Sequence, residues 1–245
     1  MRTLSDADIL RIWEQGQSQH LLDRLITILQ AGLPGRSRQE FADLSIGQRD
    51  GQLLNFRETH FGKILQAYVI CPSCNERLEF TLCTEHFRLE AREMRQQQEL
   101  TLTDAGFELR YRLPTSRDLA AAATITNFQE ARELILKRCL VAATYHGAPV
   151  SLDNLPPEMV SRLIDDMAQH DPQADVSLAV QCPACSHNWQ MIFDIGLFVW
   201  TDLMMTAKRL LREVHILASA YGWSEPDILT LTPARRQAYL NLVFS

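Results

Sequence analysis

No run of apolar residues in this chain approaches the ~20 that a membrane-spanning helix needs. The best stretch, Ile192 to Met205, is broken by Asp194 and Asp202. The opening residues, MRTLSDADILRIWEQG, carry Asp6, Asp8 and Glu14 and no apolar segment of the signal-peptide kind, so the cytoplasm is the expected location. Excess positive charge is also missing: 24 Lys and Arg stand against 30 Asp and Glu, a formal net charge of −6. That argues against binding to nucleic acid or an anionic membrane, which needs clustered cations. Three catalytic signatures are absent too: a glycine-rich phosphate loop, a Gly-x-Ser-x-Gly elbow and a His-Glu-x-x-His pair. Neither an enzymatic activity nor a small-molecule substrate is expected.

Cysteine is present, and in a pattern. Of six cysteines, four form two matched motifs, Cys71-Pro-Ser-Cys74 and Cys182-Pro-Ala-Cys185. In a chain without an export signal the thiols should stay reduced, which favours a metal site or redox chemistry over a disulfide framework. A Cys-x-x-Cys knuckle puts two thiolates on one side of a tight turn. Two knuckles supply the four sulfurs of a closed, tetrahedral, structural Zn²⁺ site. The residues after the second cysteines, Asn75 and Ser186, occupy a position that often needs a turn conformation; Asn tolerates left-handed angles better than Ser. A redox Cys-Pro-x-Cys site normally sits at a helix N-terminus, whereas strand-like residues follow both motifs here. Zinc is therefore preferred to a thiol oxidoreductase. His187 is read as a surface residue or a neighbour of the ligands rather than a ligand, and Cys83 and Cys139 as small core residues.

Each knuckle is flanked by alternating apolar strands, YVICPSCNERLEFTL and DVSLAVQCPACSHNWQMIFD, as in a zinc ribbon. The knuckles are 107 residues apart, far beyond the ~15–20 of a compact ribbon. The sequence thus predicts an α+β protein: a split zinc ribbon of antiparallel strands over 66–194, carrying a mixed insertion at about 84–175. A helical region at 1–65 and another at 195–245 flank it. Loop-closure entropy grows slowly with length, so such an insertion is tolerable.

Within these regions, Ser5 is expected to cap a first helix, and the series Leu21, Leu22, Leu25, Ile26, Leu29 a second, closed by Gly32 and Pro34. A third apolar series runs Leu53, Leu54, Phe61, Ile64, Leu65, with 35–51 before it as loop and turns and 85–106 as polar connection. FELRYRLP reads as a strand. Helices are expected at 117–123, from Asn127 through Leu140, and from Pro156-Pro157. Asp165, Asp166, Asp171 and Asp175 read as a solvated helix end, with a divalent-cation site as the alternative. A long C-terminal helix closes at Gly222 and is followed by a last one from Thr232-Pro233.

The stretch LLREVHILASAYGWSEPDILTLTPARRQAYLNLV, residues 210–243, resembles the C-terminal pattern of baseplate assembly proteins of tailed bacteriophages and phage-derived contractile injection systems. It carries Val214-His215, Tyr221-Gly222-Trp223, Arg235-Arg236 and Tyr239-Leu240. FELRYRLPTSRDL (107–119) is similar to a segment of the T-even-type baseplate hub assembly family. GQRDGQLLNFRETHFG (47–62) and the second-knuckle stretch 171–200 look like others from the same neighbourhood. The resemblance implies a non-enzymatic assembly factor or minor baseplate component whose partners are other tail and baseplate proteins. Trp200, His215, Tyr221, Trp223, Arg235, Arg236 and Tyr239 are the expected partner contacts, since aromatics and Arg dominate protein interfaces. The rival reading is a zinc-ribbon nucleic-acid module, against which the acidic charge counts.

Overall fold

Capping chemistry sets the first half of the molecule. A computed structural model describes residues 1–87 and 99–244. Ser5 accepts from the Asp8 N–H while the Asp8 carboxylate accepts from the Ser5 N–H, a closed capping box that starts helix α1, Asp6–Gln17. Helix α2, Leu21–Gly32, follows. The stretch 35–51, read as loop, holds α3 at Arg38–Ala42 and the start of α4 at Ile46–Phe61. Ser37 with Glu40, and Ser45 with Gln48, form two more capping boxes. A five-residue helix is too short to display an apolar period. Gly62, at φ +82°, ends α4, and Ile64 and Leu65 therefore open a strand rather than extend the helix.

That strand, β1 (Ile64–Ile70), pairs antiparallel with β2 (Arg77–Cys83), and β7 (Ser177–Gln181) pairs with β8 (Asn188–Ile192). Between the two hairpins lies a four-stranded antiparallel sheet in the order β3-β4-β5-β6: Leu100–Asp104, Phe107–Tyr111, Leu140–Tyr145 and Ala148–Pro149. Strand β3 falls in the stretch expected to be mere connection, of which residues 88–98 lie outside the described residues. Leu140, expected on a helix, is the first residue of β5. Helices α5 (Ser116–Ala122), α6 (Phe128–Cys139) and α7 (Pro157–His170) accompany the sheet. Asn127 caps α6 through its side chain. Helix α8, Ile195–Tyr221, ends at Gly222 in the left-handed conformation, and α9 (Glu225–Thr230) and α10 (Pro233–Val243) follow.

Three apolar cores result. The largest joins both ends of the chain: Ile12 of α1, Leu25 and Leu29 of α2, Leu53 and Phe56 of α4, Leu65 of β1, and Val199, Leu203 and Leu210 of α8. A second fills the four-stranded sheet and its helices, with Leu109, Tyr111, Leu136, Cys139 and Leu163. A third clasps the end of α8 to α9 and α10 through Val214, Leu217, Ile228 and Leu240. At 27 residues and ~1.5 Å per residue, α8 is long enough to run from the first core into the third. The molecule is thus a mixed α+β fold with small antiparallel sheets.

Candidate metal centre

The two hairpins turn through the two knuckles, and each turn is closed by its own backbone. The Cys71 N–H donates to Glu76 O at 2.9 Å, and the Asn75 N–H to Cys71 O at 3.0 Å. The second knuckle repeats this: Cys182 N–H to His187 O at 2.9 Å, Ser186 N–H to Cys182 O at 2.8 Å. These turns require left-handed residues at Asn75 (φ 61°) and Ser186 (φ 59°). Asn adopts that region more readily than Ser.

The knuckles face each other. Cys71 Sγ lies 3.7 Å from Cys185 Sγ, and Cys74 Sγ lies 3.6 Å from Cys182 Sγ. All four sulfurs fall within 4.8 Å of one another. A tetrahedron of ~2.3 Å metal–sulfur bonds has edges of about 3.8 Å, so the spacing is compatible with one metal ion. Cys71 and Cys182 are buried, while Cys74 and Cys185 are open to solvent.

The two thiols of the first knuckle are shifted in opposite senses. Burial opposes ionisation of Cys71, yet the N–H groups of Cys74 and Ser73 and the neighbouring thiols more than offset it and draw the thiol down to about 7. At Cys74 the Glu76 N–H favours the thiolate. The sulfurs of Cys185, Cys182 and Cys71, with burial, outweigh it and push the thiol up to about 12. A bound cation would favour the thiolate form at such a site.

The other candidate residues distribute differently. Cys139 is buried in the second core, its thiol pushed up to about 12 by burial and by Asp118. Cys83 is only half-buried, at the end of β2, with its thiol 3.9 Å from Glu85, so it is not the core residue expected. His187 stacks on Trp189 at 5.8 Å and gives the knuckle its backbone carbonyl.

The acidic stretch is a solvated helix end only in part: Asp165 and Asp175 are exposed. Asp171 is buried and accepts from the Ser45 hydroxyl and the Gly47 N–H, both at 2.9 Å, while Asp166 accepts the phenol proton of Tyr111.

Of the seven residues expected at a partner interface, two serve internal packing instead. Trp200 is buried, its ring against Gly16 and under the Arg24 guanidinium at 4.7 Å. Arg236 is 1% exposed and pairs with Asp6 and Glu213, each at 2.6 Å. Both were chosen for residue type, which does not distinguish an outward side chain from an inward one. His215, Tyr221 and Arg235 are exposed, and Trp223 and Tyr239 half-buried. Tyr221 stacks on Trp223 at 4.7 Å, Tyr239 meets Trp223 edge-on at 4.8 Å, and Arg235 lies over Tyr239 at 5.8 Å.

One constellation escaped the sequence reading. Asp118, wholly buried, accepts from Arg112 at 2.6 and 2.9 Å, from Arg138 at 2.8 Å, and from the N–H and hydroxyl of Thr115 at 2.9 Å each. Its only sequence trace is the Thr115-x-x-Asp118 capping pattern inside RLPTSRDL. The same turn docks on α4: Pro114 O accepts from the Ile46 N–H at 3.1 Å, and Ser116 Oγ from Arg49 at 3.3 Å. The segments 47–62, 107–119 and 171–200, read separately as family-like, thus meet at the N-terminus of α4.

No curated protein and no solved structure matches this chain. A family model described as T4 bacteriophage base plate protein matches residues 3–200, which takes in most of the first core, both knuckles and the α4 junction and stops short of the 210–243 pattern. By that match, over most of its length, the chain belongs to the T4 bacteriophage base plate protein family.

Proposed function

We propose that the protein is a non-enzymatic zinc-binding baseplate component or assembly factor of a tailed phage or a related contractile injection system. The observation that carries this reading, beside family membership, is the convergence of four sulfurs from two remote knuckles. Four thiolates fill a tetrahedral shell and leave no coordination position for a reacting water, which suits a structural ion rather than a catalytic one. On this reading 66–194 is a split zinc ribbon and about 84–175 its insertion. Zinc fixes the hairpins at their tips while the first core fixes their bases, so the helical parts are held at set positions. Structural zinc contributes on the order of 10 kcal/mol to such a fold.

Function is then binding to other tail proteins. The contact face assigned here is the outer C-terminal cluster of His215, Tyr221, Trp223, Arg235 and Tyr239, which remains accessible after Trp200 and Arg236 are taken up by packing.

Two measurements test the proposal. Elemental analysis of purified protein should give one zinc per chain, and Cys182→Ser should lose both zinc and solubility; a mutant as stable as wild type refutes the structural ion. Tyr221→Ala with Arg235→Ala should abolish co-purification with baseplate proteins while leaving the fold intact. Unchanged co-purification would remove this face as the docking element. These variants are better probes than truncation after Gly222, which would also strip Arg236 from Asp6 and Glu213.

A further inference from the structure

We infer that oxidation converts the four-cysteine centre into two disulfides that cross between the knuckles, Cys71–Cys185 and Cys74–Cys182, so that the join between the hairpins outlasts its metal. The inference rests on the metal reading above only for the starting state; the pairing itself rests on the placement of the sulfurs.

Three features select the crossed pairing. The crossed pairs already stand at 3.7 and 3.6 Å, and a disulfide needs them to approach to about 2.0 Å. Closure within a knuckle would deform a turn held by two backbone hydrogen bonds and a left-handed residue. Closure across the knuckles asks only that two hairpin tips move together. Second, each crossed pair joins one exposed and one buried cysteine, Cys185 with Cys71 and Cys74 with Cys182, which the other pairing between the knuckles, 71 with 182 and 74 with 185, does not. The exposed sulfur meets the oxidant and the buried one lies behind it as the resolving thiol. Third, the crossed bonds span 114 and 108 positions of sequence. They restrict the unfolded chain far more than bonds spanning three positions would.

The chemistry balances with a peroxide as the two-electron oxidant. The exposed thiolate attacks hydrogen peroxide, forming a sulfenic acid and releasing hydroxide as the O–O bond breaks. The buried thiolate then attacks that sulfur, forming the S–S bond and expelling a second hydroxide. Two peroxides are reduced for two disulfides, and the metal ion leaves with its charge unchanged. A baseplate component carried outside a cell meets an oxidising medium, in which disulfides form and persist. A scaffold that exchanges one join for another there keeps its binding faces in place.

The test uses full-length protein carrying Cys83→Ser, which removes the half-buried bystander thiol. Zinc content is measured, hydrogen peroxide is added in steps, free thiols are blocked, and unreduced peptides are mapped by tandem mass spectrometry. The expected result is the pair of linkages 71–185 and 74–182, zinc release in step with them, and an unchanged near-ultraviolet circular dichroism spectrum. Linkages within each knuckle, a 71–182 or 74–185 pairing, sulfinic or sulfonic products, or loss of the near-ultraviolet signal once both bonds have formed would each overturn it. The two readings fail separately. Protein purified without zinc that still forms the crossed pairs sinks the metal and keeps the cross-link; zinc-loaded protein that oxidises within its knuckles does the reverse.

Discussion

The carboxylate of Asp171 accepts the backbone N–H of Gly47 at 2.9 Å, across 124 positions of sequence. Its other oxygen takes the Ser45 hydroxyl at 2.9 Å. A side chain beyond the end of α7 thus completes the N-terminus of α4, where free N–H groups and the helix dipole favour a negative charge. The approach is so close that a Cβ on Gly47 would stand 2.2 Å from Asp171 Oδ1 and 2.9 Å from Ala174 N. Gly47→Ala should therefore destabilise the protein by about 1–3 kcal/mol through overpacking, read as a lower denaturant midpoint. Burial raises the Asp171 carboxyl above its ordinary 3.8, only partly opposed by the Gly47 N–H and the Ser45 hydroxyl. The folded state therefore holds this proton more tightly than the unfolded chain. Its contribution to stability grows as pH falls through the raised value. Asp171→Asn should erase that part of the pH dependence, and a profile identical to wild type would show that the carboxyl does not titrate as described.

Asp118 behaves in the opposite sense. Burial works to raise its pKa, but Arg112 first, then Thr115 and Arg138, outweigh it and hold the carboxyl well below the ordinary range. Its stabilisation is complete above the unfolded value near 3.8 and is lost as pH drops from there toward the folded value. Asp118→Ala leaves Arg112 and Arg138 without their shared partner and should cost about 3–5 kcal/mol. Hydrogen exchange should report the loss first in α5, α6 and the four-stranded sheet; uniform loosening of the whole chain would contradict a local role.

Helices α1 and α8 cross where Gly16 meets Trp200. A Cβ on Gly16 would lie 2.4 Å from Trp200 Cη2, and the ring also carries the Arg24 guanidinium at 4.7 Å. Gly16→Ala should displace the indole, lowering stability by about 1–3 kcal/mol and shifting the fluorescence that Trp200 contributes. Stability equal to wild type would mean that the crossing has room the geometry does not show.

Arg236 ties α10 to both ends of the molecule. Its guanidinium reaches Asp6 of α1 and Glu213 of α8, each at 2.6 Å, and it is 1% exposed. Removing one member of a buried ion group strands the others, so Arg236→Ala should cost about 3–5 kcal/mol and release α9 and α10 to proteolysis. Arg235→Ala, one position away but exposed, should change stability by no more than about 0.5 kcal/mol. A ranking reversed from this would place the guanidinium contacts on the wrong arginine.

The local elements were legible where one signal stood alone. Ser5, Asn127, Gly222 and Thr232 mark helix ends in the sequence and do so in the molecule. The alternation around each knuckle gave the hairpins. Legibility failed where signals merged: the apolar residues of α6 run directly into β5 at Leu140, and those of α4 run past Gly62 into β1. Periodicity averages over a window and blurs such boundaries.

By itself, the sequence determined that four cysteines sit in two turns with thiols on one side, because a Cys-x-x-Cys spacing and its backbone bonds are local. It also determined the caps and the strand alternation, for the same reason. Only the tertiary structure decided that Cys71 meets Cys185, that Asp171 caps α4, and that Trp200 and Arg236 face inward while Arg235 faces out. Those facts depend on which surfaces the three cores bury against one another, and burial is a property of the whole chain that no window of sequence contains.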